Sequence, residues 1–128
     1  MRLDEFLVGP YETALQEGEL LRLVVVPALS PSQRASYQKF QVHEFPMLGL
    51  ALVLDREAGD ARVAVGSVSP TPRRSAEAES LILEGRLEDA ANALADAAEL
   101  LDDKEGSADY KRHLIHVFLG RAYDEVTR

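Results

Sequence analysis

The residues whose types allow chemistry are few and widely spaced. His113 and His116 lie three positions apart, so one helix face can present both imidazoles to a metal ion. A third ligand would have to come from His43 or from a carboxylate, and no spacing fixes its position. Two surface histidines beside a neighbouring helix are the simpler interpretation, and we predict no metal site.

Paired carboxylates are a second candidate for chemistry. Asp102 and Asp103 are adjacent, and Glu77 and Glu79 lie two positions apart. A catalytic pair needs one shared cleft and two different environments. The first pair falls at a predicted helix end and the second on an exposed helix face, which favours solvated charge. Because the sequence also lacks a G-x-S-x-G motif and any kinase or dehydrogenase signature, we predict no catalytic residue.

The composition is that of one globular domain. The chain has 128 residues, 46% of them hydrophobic, and a formal charge of -8, which argues against binding nucleic acid or anionic lipid. The absence of Cys excludes disulfides, iron–sulfur ligation and thiolate zinc sites. Residues 1–15 lack the regions of a signal peptide, and the apolar stretch at residues 24–29 is too short to span a membrane. We expect a cytoplasmic protein.

The first half of the chain has the pattern of an antiparallel sheet. Residues 20–26 are apolar except for Arg22, rich in Val and followed by proline, which predicts a strand. Residues 34–43 alternate as a half-buried strand does, and residues 47–54 form a continuous apolar run typical of a buried central strand. Residues 57–60 predict a hairpin turn that leads into a further strand at residues 61–68.

The second half of the chain predicts helices. Residues 75–84 predict a short helix stopped by Gly85, and Ser107 can cap a last helix. Between them the helical spacing of three and four joins Leu87, Ala90, Ala91, Leu94, Ala97, Ala98 and Leu101. The expected buried stripe of the last helix is Tyr110, Leu114, Val117, Phe118, Ala122 and Val126. Strands followed by helices predict an α+β fold, with a small antiparallel β-sheet of about three to four strands in the N-terminal half packed against a C-terminal bundle of about three helices.

Four segments, in this order, resemble a known family. They are residues 3–15 (LDEFLVGPYETAL), 36–40 (SYQKF), 65–74 (VGSVSPTPRR) and 106–114 (GSADYKRHL). Each segment alone is weak evidence for a family, because a proline-rich turn or a capped helix start also has a purely local explanation. Together they resemble the C-terminal domain of the FAD-binding (medium) subunit of molybdenum hydroxylases, the carbon monoxide dehydrogenase and xanthine dehydrogenase flavoprotein family.

The resemblance implies a part of an FAD-dependent electron-transfer subunit that is not an enzyme by itself. The family's preceding domain carries the glycine-rich loops that bind the FAD pyrophosphate, and this sequence has no G-x-G-x-x-G motif. Residues 1–19 are then a remnant of that flavin-domain segment, and residues 20–128 form the C-terminal-like domain. The implied partners are the N-terminal FAD-binding domain or subunit and the iron–sulfur and molybdenum subunits. A homo-oligomer is a further option, and neither nucleic acid nor membrane is expected.

Tyr37 and Lys39 are the candidate cofactor-binding residues. In the predicted strand they share one face, and the opposite face carries Gln38, Phe40 and Val42. The resemblance implies that this aromatic ring and this ammonium meet the edge of a flavin ring. The alternative is a solvated lysine beside a packed tyrosine.

Residues 41–46 (QVHEFP) depart from the family pattern, in which a pair of arginines commonly follows the lysine. Gln41 and His43 donate only weakly to an anion at neutral pH, whereas arginine is always charged. The departure favours the alternative that the chain is a stand-alone structural or interaction module that has kept the fold and lost flavin binding.

Overall fold

The protein contains a two-stranded and a four-stranded antiparallel sheet, in a computed structural model that describes residues 1–42 and 44–128. The four-stranded sheet has the order β3-β4-β5-β6, so β3 is one of its edges. Over the described residues the elements are α1 (Leu3–Phe6), β1 (Leu7–Gly9), β2 (Glu12–Thr13), β3 (Gln33–Gln41), β4 (Pro46–Asp55), β5 (Asp60–Gly66), β6 (Arg73–Arg74), α2 (Ala76–Leu83), α3 (Leu87–Ala97) and α4 (Ala108–Thr127).

The hydrophobic core lies between the four-stranded sheet and helices α2 to α4. Strand β4 contributes Leu48, Leu50 and Leu52, which have no exposed surface, and α4 packs against both β3 and β4. A leucine that becomes fully buried stabilises the fold by about 1.5–3 kcal/mol, so this strand is a major source of stability. The buried central strand and the α+β fold predicted from the sequence are confirmed.

Helices α2 and α4 begin at residues that local chemistry favours. Ser75 and Ser107 are the N-caps of α2 and α4, and each hydroxyl accepts a backbone N–H from three residues further on, at 3.2 Å. Gly85 has a φ of +76° and ends the first of these helices. The predicted stop at Gly85 and the predicted cap at Ser107 are therefore confirmed. Among the described residues, no helix combines the length and the hydropathy needed to cross a bilayer.

The prediction of a strand at residues 20–26 is wrong. None of residues 20–29 belongs to a helix or strand, and all ten are exposed. High β-propensity describes a segment that suits a pleated, half-buried surface, and it forms a strand only when a neighbouring strand completes the hydrogen-bond ladder. No neighbour among the described residues does so.

Three side chains predicted to be buried in helices are exposed. Helix α3 ends at Ala97, which is itself exposed, and Glu99 then adopts a φ of +52°, so Leu101 lies beyond the helix and outside its apolar stripe. Tyr110 lies in the first turn of α4 and is 42% exposed. Its ring nevertheless makes an edge-on contact with Phe40, with centroids 6.5 Å apart.

Candidate functional site

The sheet face that points away from the helices carries mostly small residues at the centre of the sheet. Directly opposite residues of antiparallel strands share a face, so the register defines two neighbouring rows across the sheet. One row is Tyr37, Ala51, Ala64 and Arg74, and the next is Lys39, Gly49 and Gly66. We call Gly49, Ala51, Ala64 and Gly66 the small-residue floor. A floor without large side chains leaves a flat surface that a planar group can approach closely.

Tyr37 lies over the floor at Gly49. A Cβ atom built on Gly49 would come within 2.6 Å of the Tyr37 hydroxyl oxygen, so this position accommodates the tyrosine only because it is glycine. The Tyr37 side chain is nevertheless 65% exposed. The sequence placed Tyr37 and Lys39 on one strand face, and the register and their exposure confirm that placement.

Three cationic side chains surround the floor, and carboxylates neutralise two of them. Arg62 forms an ion pair with Asp60 at 2.8 Å, and Arg74 forms one with Glu79 at 2.7 Å. Lys39 is exposed and has no ion-pair partner within the described part of the chain. The ammonium of Lys39 is therefore the cation of this face that remains available to an external group.

An open cleft of about 620 Å³ adjoins the floor at Ala64. One wall is built from the turn before α2, including Pro72 and Arg73, and the other from the N-terminal segment, including Leu3 and Leu7. The buried Nε of Arg73 has no hydrogen-bond partner among the described residues. The cleft thus joins the sheet to the segment whose sequence resembles the end of a flavin domain.

Residues 36–126 match the family model of the CO dehydrogenase flavoprotein C-terminal domain. The chain belongs to this family. It is 32% identical to the carbon monoxide dehydrogenase medium chain of Hydrogenophaga pseudoflava, over 93% of this chain and 45% of that one. It is 30% identical to the nicotine 6-hydroxylase medium subunit of Paenarthrobacter nicotinovorans, over 95% of this chain and 46% of the relative. The chain thus spans less than half the length of these relatives.

Solved structures of related enzymes have the same fold. The reconstituted CO dehydrogenase from Oligotropha carboxidovorans superposes with a TM-score of 0.83 at 23% identity, over 95% of this chain and 46% of that one. The quinoline 2-oxidoreductase from Pseudomonas putida 86 gives a TM-score of 0.78 at 22% identity, over the same shares. The family resemblance drawn from the four sequence segments is confirmed by the family model and by these relatives.

A buried lysine of this flavoprotein domain was not predicted from the sequence. The Lys111 side chain has no exposed surface, and its ammonium donates to the Leu101 carbonyl at 2.7 Å and to the Asp103 carboxylate at 2.5 Å. Desolvation raises the pKa of Asp103, but the bonds from Lys111 and from the amides of Glu105 and Gly106 lower it more, so the net pKa is below the ordinary value. This ion pair ties the α3–α4 loop to α4.

The carboxylates predicted to be merely solvated have structural roles in the domain. The Glu79 carboxylate accepts the Val63 amide at 3.1 Å, a bond that continues the hydrogen bonding of β5 beyond short β6. Its side chain is only 15% exposed, so the prediction of an exposed charge was wrong there. Asp102 accepts the Ala108 amide at 2.6 Å, at the start of α4. Such bonds satisfy amides that would otherwise lack partners, and they are not arranged as an acid–base pair.

His113 and His116 lie on α4, away from the floor. His116 is half-buried, and its Nε2 is 3.1 Å from the Asn92 amide oxygen, while His113 is exposed on the same helix. No group of three His, Asp or Glu side chains suited to hold a metal ion occurs within residues 1–42 and 44–128. His43, the third candidate ligand, lies outside the described residues.

Proposed function

We propose that this chain is the C-terminal domain of an FAD-dependent electron-transfer subunit of a molybdenum hydroxylase, and that its small-residue floor lines one side of the flavin site. Family membership supports the subunit assignment. The observation that carries the site assignment is Tyr37 lying over Gly49 beside the unpaired Lys39, on the sheet face opposite the core. A planar ring can pack on such a floor, and an ammonium can reach its polar edge.

The residues of the floor fit one side of FAD and not the whole cofactor. The Tyr37 ring covers the floor at Gly49, and the remaining floor residues Ala51, Ala64 and Gly66 carry no side chain larger than a methyl group, which suits a flat ring beside the tyrosine. The sequence has no glycine-rich loop whose amides would bind the pyrophosphate. When bound, FAD supplies the electron-transfer chemistry. The chain's contribution is to pack Tyr37 on the ring, exclude water there and hold the Lys39 proton donor at the ring edge.

The rest of the subunit would supply the other side of the site. We propose that residues 1–19 belong with the preceding flavin-binding part, whether that part is covalently joined or a separate chain. The cleft between residues 2–7 and the turn before α2 supports this, because it places the N-terminal segment beside the floor. Packing against the iron–sulfur and molybdenum subunits is proposed by analogy with the medium chains of relatives, and the chain by itself is not expected to catalyse a reaction.

A flavin titration tests this function. The chain is mixed with the part of the H. pseudoflava medium chain outside the matched region, and FAD binding is followed by flavin fluorescence. We expect the chain alone to bind FAD weakly, the mixture to bind it more tightly, and Lys39→Met to weaken binding by about tenfold, the equivalent of about 1.4 kcal/mol. Lys104→Met, which removes an 80% exposed charge from the α3–α4 loop, is the matched control. Tight stoichiometric binding by the chain alone would refute the proposal.

Loss of flavin binding is the second candidate. It is favoured by residues 41–46, the stretch in which the family commonly carries a pair of arginines and this chain has none; within it the Gln41 amide donates to the Glu44 carbonyl at 3.0 Å. A chain that assembles with the complementary part but leaves the mixture without bound flavin would support this structural role. The flavin titration, run together with size-exclusion chromatography of the mixture to measure assembly, therefore distinguishes the two functions.

A further inference from the structure

One end of the molecule exposes apolar side chains from two neighbouring loops. The β3–β4 loop (described at residues 42 and 44–45) lies beside the α3–α4 loop (residues 98–107), since the Lys104 ammonium is 5.8 Å from the centroid of the Phe45 ring. The Tyr110 ring, in the first turn of α4, contacts Phe40 near the end of β3. We define the loop-end patch as the exposed apolar side chains of this region, which are between 42% and 58% exposed: Val42, Phe45, Leu101 and Tyr110.

The loop-end patch has the composition of a contact between proteins. A single exposed apolar side chain is ordinary on a protein surface, whereas several together mark a site that a partner covers. Aromatic side chains are enriched at the centres of such sites, and Phe45 and Tyr110 are two aromatic members of the patch. The patch is therefore a candidate interaction surface on the side of the domain where these two loops meet.

The α3–α4 side of the loop-end patch is fixed by bonds within the domain. The buried Lys111 ammonium donates to the Leu101 carbonyl at 2.7 Å and to the Asp103 carboxylate. That carboxylate also accepts the amides of Glu105 and Gly106, at 2.9 Å and 3.2 Å. Because ordering a loop on binding lowers the affinity, a loop that is fixed beforehand favours docking.

Acidic side chains surround the loop-end patch. Beside a single exposed lysine, the two loops and the first turn of α4 carry five carboxylates, which we call the acidic rim: Glu44, Asp102, Asp103, Glu105 and Asp109. Lys111 pairs with Asp103, and Lys104 lies 3.8 Å from the Glu105 carboxylate. The other three carboxylates form no ion pair within the described part of the chain. The acidic rim therefore keeps a negative charge that a docked partner has to match.

We propose that the loop-end patch is a docking surface for a basic amphipathic segment of a different protein chain. The apolar side chains of that segment cover Phe45 and Tyr110, and its lysines or arginines meet the unpaired carboxylates of the acidic rim. Complementary charge around an apolar contact selects one class of partner and fixes its orientation. The inference does not depend on the flavin site, because none of these residues belongs to the small-residue floor.

A second copy of this chain does not fit the loop-end patch. Two copies related by a twofold axis would bring the same patch to both sides of the contact. The acidic rim of one copy would then face the acidic rim of the other, and like charges across an interface disfavour association. The same negative charge repels the anionic surface of a membrane. Self-association through the patch is therefore an outcome that would overturn the proposal.

A defined peptide tests the proposal. The probe is a short synthetic peptide of leucine and lysine that forms a helix with all its leucines on one face. Its affinity is measured by fluorescence anisotropy, and its place of binding by the amide chemical shifts of the isotope-labelled chain. One control peptide has glutamate in place of lysine, and a second has serine in place of leucine. These controls separate the charge of the partner from its apolar face.

Single substitutions locate the contact. Phe45→Ser removes a central side chain of the loop-end patch, and Leu83→Ser, at an exposed position of α2, is its matched control. Val42→Ser repeats the test within the patch in case Phe45→Ser alters amide shifts outside the two loops. Glu44→Gln removes one charge of the acidic rim, and Glu57→Gln removes the same charge from another exposed turn. The last pair distinguishes the rim from the net charge of the chain.

We expect the leucine–lysine peptide to shift the amides of residues 42, 44–45 and 101–110. Phe45→Ser should weaken its binding by about tenfold, the loss typical of a central interface side chain, and Leu83→Ser should not change it. Val42→Ser should weaken binding in the same direction. Glu44→Gln should weaken it by about twofold to threefold, because exposed ion pairs contribute little, and Glu57→Gln should weaken it less.

Five outcomes would overturn the proposal. The glutamate peptide could bind as tightly as the lysine peptide, which would show that charge is not recognised. Equal affinity of the serine–lysine peptide would show that charge alone is recognised. Undiminished binding to both Phe45→Ser and Val42→Ser would remove the loop-end patch from the contact. Shifts confined to residues 20–26 would place the peptide on a different apolar surface. Shifts at the patch that grow with the concentration of the chain alone would identify a second copy as the partner.

Discussion

The buried Lys111–Asp103 ion pair predicts an asymmetry between the two single substitutions. Asp103→Asn leaves a positive charge in a site from which water is excluded, whereas Lys111→Met removes the charge and keeps a side chain of similar length. Breaking a fully buried pair so that one charge remains costs about 3–5 kcal/mol. Because the Asp103 side chain is 44% exposed and asparagine still offers an acceptor, we reduce the expected cost of Asp103→Asn to about 2 kcal/mol.

Lys111→Met should destabilise the protein less than Asp103→Asn does. It leaves the Leu101 carbonyl without its 2.7 Å bond, which costs about 1 kcal/mol, but it also removes the desolvated ammonium. The double variant should then be more stable than Asp103→Asn alone by about 1 kcal/mol, since no buried charge is left unpaired. Urea unfolding midpoints measure all three, and Lys104→Met, 80% exposed, is the control that should change stability by less than about 0.5 kcal/mol.

The sign of the pH dependence provides an independent check of the same ion pair. The pKa of Asp103 is lowered in the folded state, so its ionised form adds stability above the unfolded-state pKa, and this contribution is lost as the pH falls through the folded-state pKa. The stability difference between wild type and Asp103→Asn should therefore be largest near neutrality and shrink in acid. A Lys111→Met variant less stable than Asp103→Asn, or a double variant that recovers nothing, would refute the reasoning.

Three further predictions concern other contacts. The pKa of Glu125 lies below its ordinary 4.5 because the Ser36 hydroxyl and the Gln38 amide donate hydrogen bonds to its carboxylate. Ser36→Ala should therefore destabilise the protein at neutral pH, and this loss of stability should disappear as the pH falls through the folded-state pKa of Glu125. Urea unfolding midpoints measured across this pH range test the prediction. Gly49→Ala should leave the free energy of unfolding unchanged or raise it by up to about 1 kcal/mol, because the Tyr37 ring can move aside. Nuclear Overhauser contacts between residue 49 and the Tyr37 ring should weaken; unchanged contacts would contradict the close approach. Glu79→Ala should lower the free energy of unfolding by about 1–3 kcal/mol, because it leaves the buried Val63 amide without an acceptor. Glu79→Gln keeps an acceptor and should lower it by less than half of that amount. Equal losses would show that the charge of Glu79, and not the hydrogen bond, stabilises the fold.

The elements that the sequence predicts correctly are those whose pattern is set by local geometry. Strand β4 is recognisable because a run of eight apolar residues at 47–54 can be buried only as a central strand or a core helix, and the turn that follows excludes a long helix. The last helix is recognisable from the Ser107 cap and from apolar spacing that continues to Val126. The placement of Tyr37 and Lys39 follows from the two-residue period of a strand in the same way.

The failures of prediction have two physical causes. Residues 20–26 have strand propensity, but propensity does not supply the neighbouring strand that pairing requires. Lys111 was overlooked because charged residues are rarely buried without a partner, and that partner, Asp103, lies eight residues away in a loop. A signal did exist: Lys111 precedes Leu114 by three and Ile115 by four, and therefore lies on the buried stripe of α4.

The distribution of charge around the small-residue floor explains why one lysine should matter more than its two neighbouring arginines. The chain carries a net charge of -8, and both Arg62 and Arg74 are held by carboxylates of their own fold. A guanidinium paired at 2.7–2.8 Å has much of its field cancelled before any ligand arrives, whereas the Lys39 ammonium keeps its full charge for an external group. If the floor serves a flavin, replacing Lys39 should change flavin affinity and redox potential, and replacing Arg62 should change them much less. An equal effect of both substitutions would mean that the flavin senses the net charge of the domain and not a specific contact.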